Sequence, residues 1–158
     1  MPAARVHEYA TGLVWEGNRG TGTSDYAGYE RRFRVMVEGK ADVVGTADPA
    51  FRGDPHLHNP EELLLAAVAS CHMLSYLALC SRNGVTVVRY ADAAHGSLRV
   101  LPSGGGSFET ITLRPRVTVA AGSDTVAAVA LHERAHELCF IAGSCRFPIH
   151  CQAEVHVE

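Results

Sequence analysis

The stretch Asn59–Gly84, NPEELLLAAVASCHMLSYLALCSRNG, decides the fold. It opens with Asn and Pro, which favour the first positions of a helix, and it closes with Asn and Gly, which favour a helix end. Asn59 and Glu62 have the spacing of a capping box. Between Leu63 and Cys80 only two serines and one histidine are plainly polar. The stretch therefore predicts one long helix that is apolar on every side and lies inside a packed structure.

The composition is that of a soluble globular protein. The 158 residues, of which 47% are hydrophobic, suffice for one core, so we expect a single domain over residues 1–158. A net charge of −3 favours neither nucleic acid nor an anionic membrane as a partner. The first 15 residues lack the apolar core of a secretory signal. The long apolar run approaches transmembrane length, but its alanines and His72 favour a buried helix and no membrane.

The five cysteines have irregular spacing and include no Cys-x-x-Cys pair; they are Cys71, Cys80, Cys139, Cys145 and Cys151. An odd number without a signal sequence argues against a secreted disulfide scaffold. The missing Cys-x-x-Cys argues against a thioredoxin-like site. We therefore expect a cytoplasmic protein whose thiols are reduced at rest.

The remaining chain predicts an α+β fold. Strands are expected at residues 5–15, 29–37, 41–46, 85–90, 94–101, 108–119 and 151–157. The glycine-rich stretch 17–22 predicts a hairpin loop, and Pro115 predicts an edge position or a bulge. A second helix is expected from Thr125 to about residue 140, capped by Ser123 or Asp124. Its apolar positions at helical spacing are Val126, Val129, Ala130 and Leu138.

Cys71 lies in the middle of the long predicted helix. The helix dipole acts within the first turn, so it cannot stabilise a thiolate at Cys71. A reactive Cys71 needs a cation from elsewhere, and an arginine would also hydrogen-bond to an oxyanion. A cysteine on an apolar helix is otherwise a core residue. The helix alone leaves both interpretations open.

Two other cysteines are possible partners for Cys71. Cys80 lies on the opposite side of the same helix and about 13 Å further along, so it cannot form a disulfide with Cys71 and is expected in the core. Cys139 lies at the end of the second helix, and two helices that each present a cysteine could bring them together. Such a pair is the smallest apparatus that reduces a peroxide, because one thiol becomes a sulfenic acid and the other condenses with it.

Metal binding is an alternative. His132 and His136 are four residues apart, Cys139 follows three residues later, and His72 adjoins Cys71. The spacing His-x3-His can bind zinc, but the glutamate of the usual zinc motif and a Cys-x-x-Cys pair are absent. We therefore expect exposed helical histidines, without metal or another cofactor. A serine hydrolase is disfavoured because the sequence has no Gly-x-Ser-x-Gly.

The motifs around the two cysteines resemble the OsmC/Ohr family, named for osmotically inducible protein C and organic hydroperoxide resistance protein. NPEELLLAAVASCHMLSYLAL surrounds Cys71 and AHELCF surrounds Cys139; the resemblance extends to residues 15–17 and 19–23 and covers nearly the whole chain. The family often has Cys-Pro at the second site, where this chain has Cys139-Phe140. The resemblance implies an α+β fold with antiparallel sheets packed around long central helices, in an intertwined homodimer.

The resemblance also implies an enzyme, a thiol-dependent peroxidase that reduces organic or lipid hydroperoxides to alcohols. Cys71 corresponds to the reactive cysteine and Cys139 to the resolving one, with a Cys71 sulfenic acid and a Cys71–Cys139 disulfide as intermediates. Glu61 matches the glutamate of the Asn-Pro-Glu motif. The arginine is best matched by Arg19; the alternatives are Arg31, Arg32 and Arg52. An external dithiol, for which the family suggests a lipoyl group, completes the cycle.

The position of Glu61 bears on the predicted dimer. Glu61 and Cys71 are ten residues apart, which is about 15 Å along one helix, and no side chain spans that distance. If Glu61 positions the arginine at Cys71, it therefore comes from the other subunit. An OsmC-like redox sensor or ligand-binding protein without efficient turnover remains an alternative to the peroxidase. The sequence assigns no role to Cys145 or Cys151.

Overall fold

The structure, a computed structural model, describes residues 3–158 in two compact units. The first unit is Met1–Leu63 and the second is Leu64–Glu158. The single domain over residues 1–158 stays a prediction.

The first unit contains a three-stranded antiparallel sheet. Its strands, in spatial order, are β1 (Gly12–Trp15), β2 (Phe33–Met36) and β3 (Val43–Gly45). All three are shorter than predicted, and residues 3–11 are exposed and form no strand. The predicted glycine-rich turn lies in the long connection between β1 and β2. Its shape comes from Asn18, whose Oδ1 accepts the backbone N–H groups of Gly20 and Gly22 at 2.8 and 3.0 Å.

The long helix, α1, runs over Pro60–Arg82, as the sequence predicted. The capping box is present, because the N–H of Glu62 donates to Asn59 Oδ1 at 2.9 Å and the N–H of Asn59 donates to Glu62 Oε2 at 3.3 Å. At the other end Gly84 has φ of +72°, and the N–H of Val85 donates to the carbonyl of Cys80 at 3.0 Å. These contacts form the Schellman motif, which needs glycine at its left-handed position.

The second unit contains two three-stranded sheets. Its strands are β4 (Val87–Asp92), β5 (His95–Val100), β6 (Gly106–Leu113), β7 (Pro115–Val119), β8 (Ile149–Cys151) and β9 (Glu154–Val157). One sheet has the order β4-β7-β9 and the other β5-β6-β8. The pairs β6–β8 and β7–β9 are parallel. The α+β class is thus confirmed, but the expectation of antiparallel sheets is wrong for this unit, since both its sheets are mixed.

Two predicted strands are each divided between these sheets. The predicted strand 108–119 is β6 followed by β7, and the chain crosses between the sheets at Arg114, whose N–H donates to Asp92 Oδ1 at 2.8 Å. Pro115 stands at the first residue of β7, a position where its missing N–H does least harm. The predicted strand 151–157 likewise divides into β8 and β9.

The second helix, α2 (Thr125–Leu138), is capped by Asp124, whose Oδ1 accepts the N–H of Ala127 at 3.0 Å. A short helix, α3 (Phe140–Ser144), follows it. The helix predicted from apolar positions at helical spacing is confirmed, but those positions do not form its buried face: Val126 is 79% exposed, and Val129, Ala130 and Leu138 are exposed too. The buried positions are Ala128, His132 and Ala135. The small side chains of Ala128 and Ala135 allow α2 to approach the core more closely than valines at these two positions would.

The core of the second unit is built on one stripe of α1. Its buried residues are spaced four apart: Val68, His72, Tyr76 and Cys80. Cys80 is a core residue, as predicted. The other faces of α1 are partly or fully exposed in the single chain, and Leu74 is 63% exposed. The expectation of a helix buried on every side is therefore wrong within one chain. By length and a hydropathy of 1.9 the helix could also cross a membrane, a weak criterion that core helices of soluble proteins meet as well.

Candidate redox site of two cysteines

The structure brings Cys71 and Cys139 together. Cys71 lies on α1, and Cys139 lies at the junction where α2 ends and α3 begins. The Cys71 side chain lies near enough to Cys139 to raise the pKa of the Cys139 thiol. Both cysteines belong to the second unit, and all five cysteines of the chain are thiols. The two helices thus present a dithiol pair.

The two thiols have different environments. Cys139 is 2% exposed, and burial raises its pKa to about 11, with the nearby Cys71 side chain acting in the same direction. The N–H groups of Ala142 and Ile141 act in the opposite direction on this pKa, with Ala142 N at 3.4 Å from Cys139 Sγ. Burial prevails, so Cys139 keeps its proton at neutral pH. Cys71 is partly exposed, which makes its sulfur the one that a dissolved reagent reaches first.

Glu61 lies in the first turn of α1, far from Cys71 along the same helix. Its Oε2 is shielded from solvent and has no hydrogen-bond partner among residues 3–158. Within one helix the separation from Cys71 is about 15 Å. One chain therefore does not bring these two side chains together through α1.

A cavity of about 320 Å³ in the first unit is lined by all four candidate arginines: Arg19, Arg31, Arg32 and Arg52. Arg19 forms an ion pair with Glu30, with its Nε at 3.0 Å from Oε1. Arg32 forms an ion pair with Glu16 at 3.2 Å.

The other two arginines of this cavity, Arg31 and Arg52, form no ion pair within residues 3–158. The guanidinium of Arg31 lies over the rings of Tyr26 and Tyr29, at 4.4 and 3.9 Å from their centroids. The Arg52 side chain has no ion pair or hydrogen bond within the described part of the chain, and its backbone has φ of +68°, which is unusual outside glycine. The structure thus gathers the candidate arginines in one place and leaves Arg52 the least engaged.

A second cluster was missed at the sequence level. His132 was expected at the surface, but it is 4% exposed and its Nδ1 lies 3.0 Å from Nε2 of His72, which is also buried. Cys151 joins the two histidines, whereas His136 is exposed and Cys139 lies at the other thiol. The cluster shares His72 and His132 with the metal alternative drawn from the sequence, which stays a prediction. No local pattern could have added Cys151, because β8 meets α1 and α2 only in the folded chain.

Comparison with known proteins identifies the family. The model of the family described as OsmC-like protein matches residues 53–154. The chain belongs to the OsmC-like family. The Bacillus subtilis protein YmaD, which is uncharacterized, is 24% identical over 156 residues, covering 96% of this chain and 95% of that protein.

Solved structures of OsmC-like proteins agree with the fold. An OsmC-like protein of unknown function from Vibrio cholerae is 27% identical, with a TM-score of 0.84 over 94% of this chain and 100% of that one. An organic hydroperoxide resistance protein from Elizabethkingia anophelis is 18% identical, with a TM-score of 0.66 over 96% and 99%. The second likeness shows the fold alone.

Proposed function

We propose that this OsmC-like protein is a thiol peroxidase that reduces organic hydroperoxides to alcohols. The observation that carries the proposal is the proximity of a partly exposed Cys71 to a buried, protonated Cys139. The pair has the two parts that peroxide reduction needs, a sulfur that the peroxide can reach and a second thiol beside it. The fold shared with organic hydroperoxide resistance proteins supports the substrate class.

The proposed reaction has three steps. The Cys71 thiolate attacks the distal oxygen of the hydroperoxide, the O–O bond breaks, and the alkoxide takes a proton and leaves as the alcohol. The sulfur of Cys139 then attacks the sulfenic acid on Cys71, which releases water and forms the Cys71–Cys139 disulfide. An external dithiol, for which a lipoyl group is our candidate, reduces this disulfide and becomes oxidised itself.

The unequal burial of the two thiols supports this order. Cys139 holds its proton while Cys71 is reduced, so it does not compete for the peroxide. Once Cys71 carries the sulfenic acid, Cys139 is already near the sulfur that it must attack. Its proton leaves with the hydroxide of the sulfenic acid as water.

A stopped-flow reaction of the reduced protein with cumene hydroperoxide tests the proposal. Wild type should react quickly and yield a Cys71–Cys139 disulfide by mass mapping. Cys71→Ser should not react, Cys139→Ser should complete one turnover and then overoxidise, and the control Cys145→Ser should behave as wild type. Full activity of Cys71→Ser would contradict the assignment. Thiols of ordinary reactivity that do not react rapidly with the peroxide would instead favour a redox sensor that uses the same pair.

The cation at Cys71 is proposed to be an arginine of the first unit, with Arg19 as the first candidate. Arg52, which lines the same cavity, supplies a matched control. Arg19→Ala should slow oxidation of Cys71 while Arg52→Ala leaves it near the wild-type rate. The reverse result would transfer the role to Arg52, whose side chain has no protein partner in residues 3–158.

We also propose a cytoplasmic homodimer in which Glu61 acts on the site of the other subunit. The unpaired Oε2 of Glu61 and the exposed apolar faces of α1 both support a second copy as the missing neighbour. Proteins of this family are soluble, which supports a dimer rather than a membrane as the cover for α1.

Mixed dimers of Glu61→Gln and Cys71→Ser subunits test this arrangement. Each parent should be inactive or nearly so. If Glu61 acts across the interface, half of the randomly paired dimers have one intact site, so about one quarter of the wild-type activity should return. No recovery in dimers verified by sedimentation would contradict the exchange of Glu61.

A further inference from the structure

Three potential metal ligands from three elements meet in the second unit, apart from the Cys71–Cys139 pair. His72 comes from α1, His132 from α2 and Cys151 from the last position of β8. One ligand atom from each lies within 4.8 Å of the others. The proposed peroxidase cycle uses none of these side chains.

The distances between the three atoms suit a metal ion. His72 Nε2 and His132 Nδ1 are 3.0 Å apart, and Cys151 Sγ lies 3.7 and 3.9 Å from them. A triangle with these sides has a point about 2.1 Å from each corner, close to the Zn–N distance of about 2.0–2.1 Å and the Zn–S distance of about 2.3 Å. A small displacement of the ion out of the plane lengthens all three distances together.

The two histidines are held inside the fold, where His72 is 1% exposed and His132 is 4% exposed. The outer nitrogens, His72 Nδ1 and His132 Nε2, have no hydrogen-bond partner among residues 3–158. In the metal-free chain the hydrogen bond between the two inner nitrogens places a proton on one of them. Zinc binding would move this proton to the free outer nitrogen of the same ring, so that both inner nitrogens become ligands.

A buried carboxylate oxygen nearby also lacks a partner. Asp92 Oδ2 is shielded from solvent and unpaired within residues 3–158. Asp92 acts electrostatically on Cys151, so its carboxyl group lies close to the cluster. Zinc deprotonates a coordinating thiol, so a divalent ion with one thiolate and one nearby carboxylate is electrically neutral overall. A cation at the cluster would thus lie near a carboxylate oxygen that has no partner in the described residues.

We propose that His72, His132 and Cys151 bind one Zn²⁺ ion. A fourth position for water is available on the side of a cavity of about 500 Å³, which His132 and Cys151 line together with His150 and Gln152. Three protein ligands and an open position are the pattern of zinc sites that retain an exchangeable ligand. The ion ties α1, α2 and β8 together.

Metal titration of the full-length Cys71→Ser/Cys139→Ser variant tests the site without competition from the dithiol pair. Zn²⁺ should bind with one ion per chain by elemental analysis after gel filtration. Co²⁺ should give a thiolate-to-cobalt charge-transfer band and the intense visible bands of four-coordinate cobalt. Cys151→Ser in this background should remove the charge-transfer band and weaken zinc binding by at least about 100-fold, since even loss of a supporting residue costs 10–100-fold. Cys145→Ser is the matched control and should bind as before.

Folding is checked separately, by circular dichroism of each apo variant. A further measurement needs no substitution: Zn²⁺ should protect Cys151, and not Cys145, from alkylation in the wild-type protein. Unchanged binding in Cys151→Ser would identify an ion held adventitiously by surface histidines and would overturn the site. Absence of a stoichiometric ion, or equal alkylation of Cys151 with and without Zn²⁺, would overturn it too. Neither result depends on peroxidase activity.

Discussion

The buried thiol of Cys139 gives the sharpest prediction. Its pKa is raised from the ordinary value of 9.0 to about 11, first by burial and then by the nearby Cys71 side chain. Only the thiolate reacts with iodoacetamide. Two pKa units mean that at pH 7.5 the thiolate fraction is about 100-fold smaller than for an ordinary cysteine.

The measurement uses the Cys71→Ser variant, in which burial, the larger cause of the raised pKa, remains in place. Alkylation of the peptide that contains Cys139 is followed by mass spectrometry against free cysteine in the same tube. We expect a rate about 100-fold below that of free cysteine at pH 7.5, rising about tenfold per pH unit towards pH 11. Labelling at the rate of free cysteine, with a midpoint below pH 9, would refute the reasoning. It would also remove the physical basis for making Cys139 the resolving thiol.

Further predictions concern stability. Asn59→Ala removes the cap of α1 and should lower the free energy of unfolding by about 1 kcal/mol in urea titrations, whereas Asn59→Ser should lower it less. Tyr76→Phe removes the 3.0 Å bond from its hydroxyl to the carbonyl of Ala128 and should cost about 1–2 kcal/mol by the same assay; no change would mean that water replaces the hydroxyl. Burial lowers the pKa of both His72 and His132 to about 4, so the unfolded chain takes up protons at a higher pH than the folded one. With EDTA present, the free energy of unfolding should therefore fall as the pH drops from about 6.5 to 4, by at most about 1.4 kcal/mol per pH unit per histidine. A free energy that does not change with pH in this range would contradict the buried neutral state of the two histidines.

Local chemistry explains what the sequence predicted well. The start of α1 depends on Asn59 and Glu62, which bond to each other's backbone, and its end depends on Gly84. These capping motifs depend only on residues close together in the sequence, so the sequence alone is enough to predict them. The proposed pairing of Cys71 with Cys139 has a different basis: both cysteines were expected on helices, and Cys80 was excluded by helix geometry alone.

Tertiary contacts explain what the sequence did not predict. Apolar and polar residues alternate across Arg114 as if residues 108–119 formed one strand. This alternation depends on which side of the sheet a residue faces, and it does not show which strand the residue pairs with. On α2 the valines satisfy a hydrophobic pattern, but the core accepts Ala128 and Ala135, which allow closer packing. Buried polar groups such as His132 violate the ordinary preference for the surface and cannot be found without the partner that satisfies them.

The two clusters on α1 explain how one helix can hold two kinds of thiol chemistry. Cys71 and His72 are successive residues, so their side chains point about 100° apart around the helix axis. One direction leads to Cys139, and the other leads to His132 and Cys151. A metal held by His72 would therefore leave the sulfur of Cys71 free for the proposed reaction with peroxide. Burial, which raises the pKa of Cys151, also makes this thiol a poor competitor for disulfide exchange. The angle between successive residues of α1 thus keeps Cys71 apart from the cluster that His72 joins.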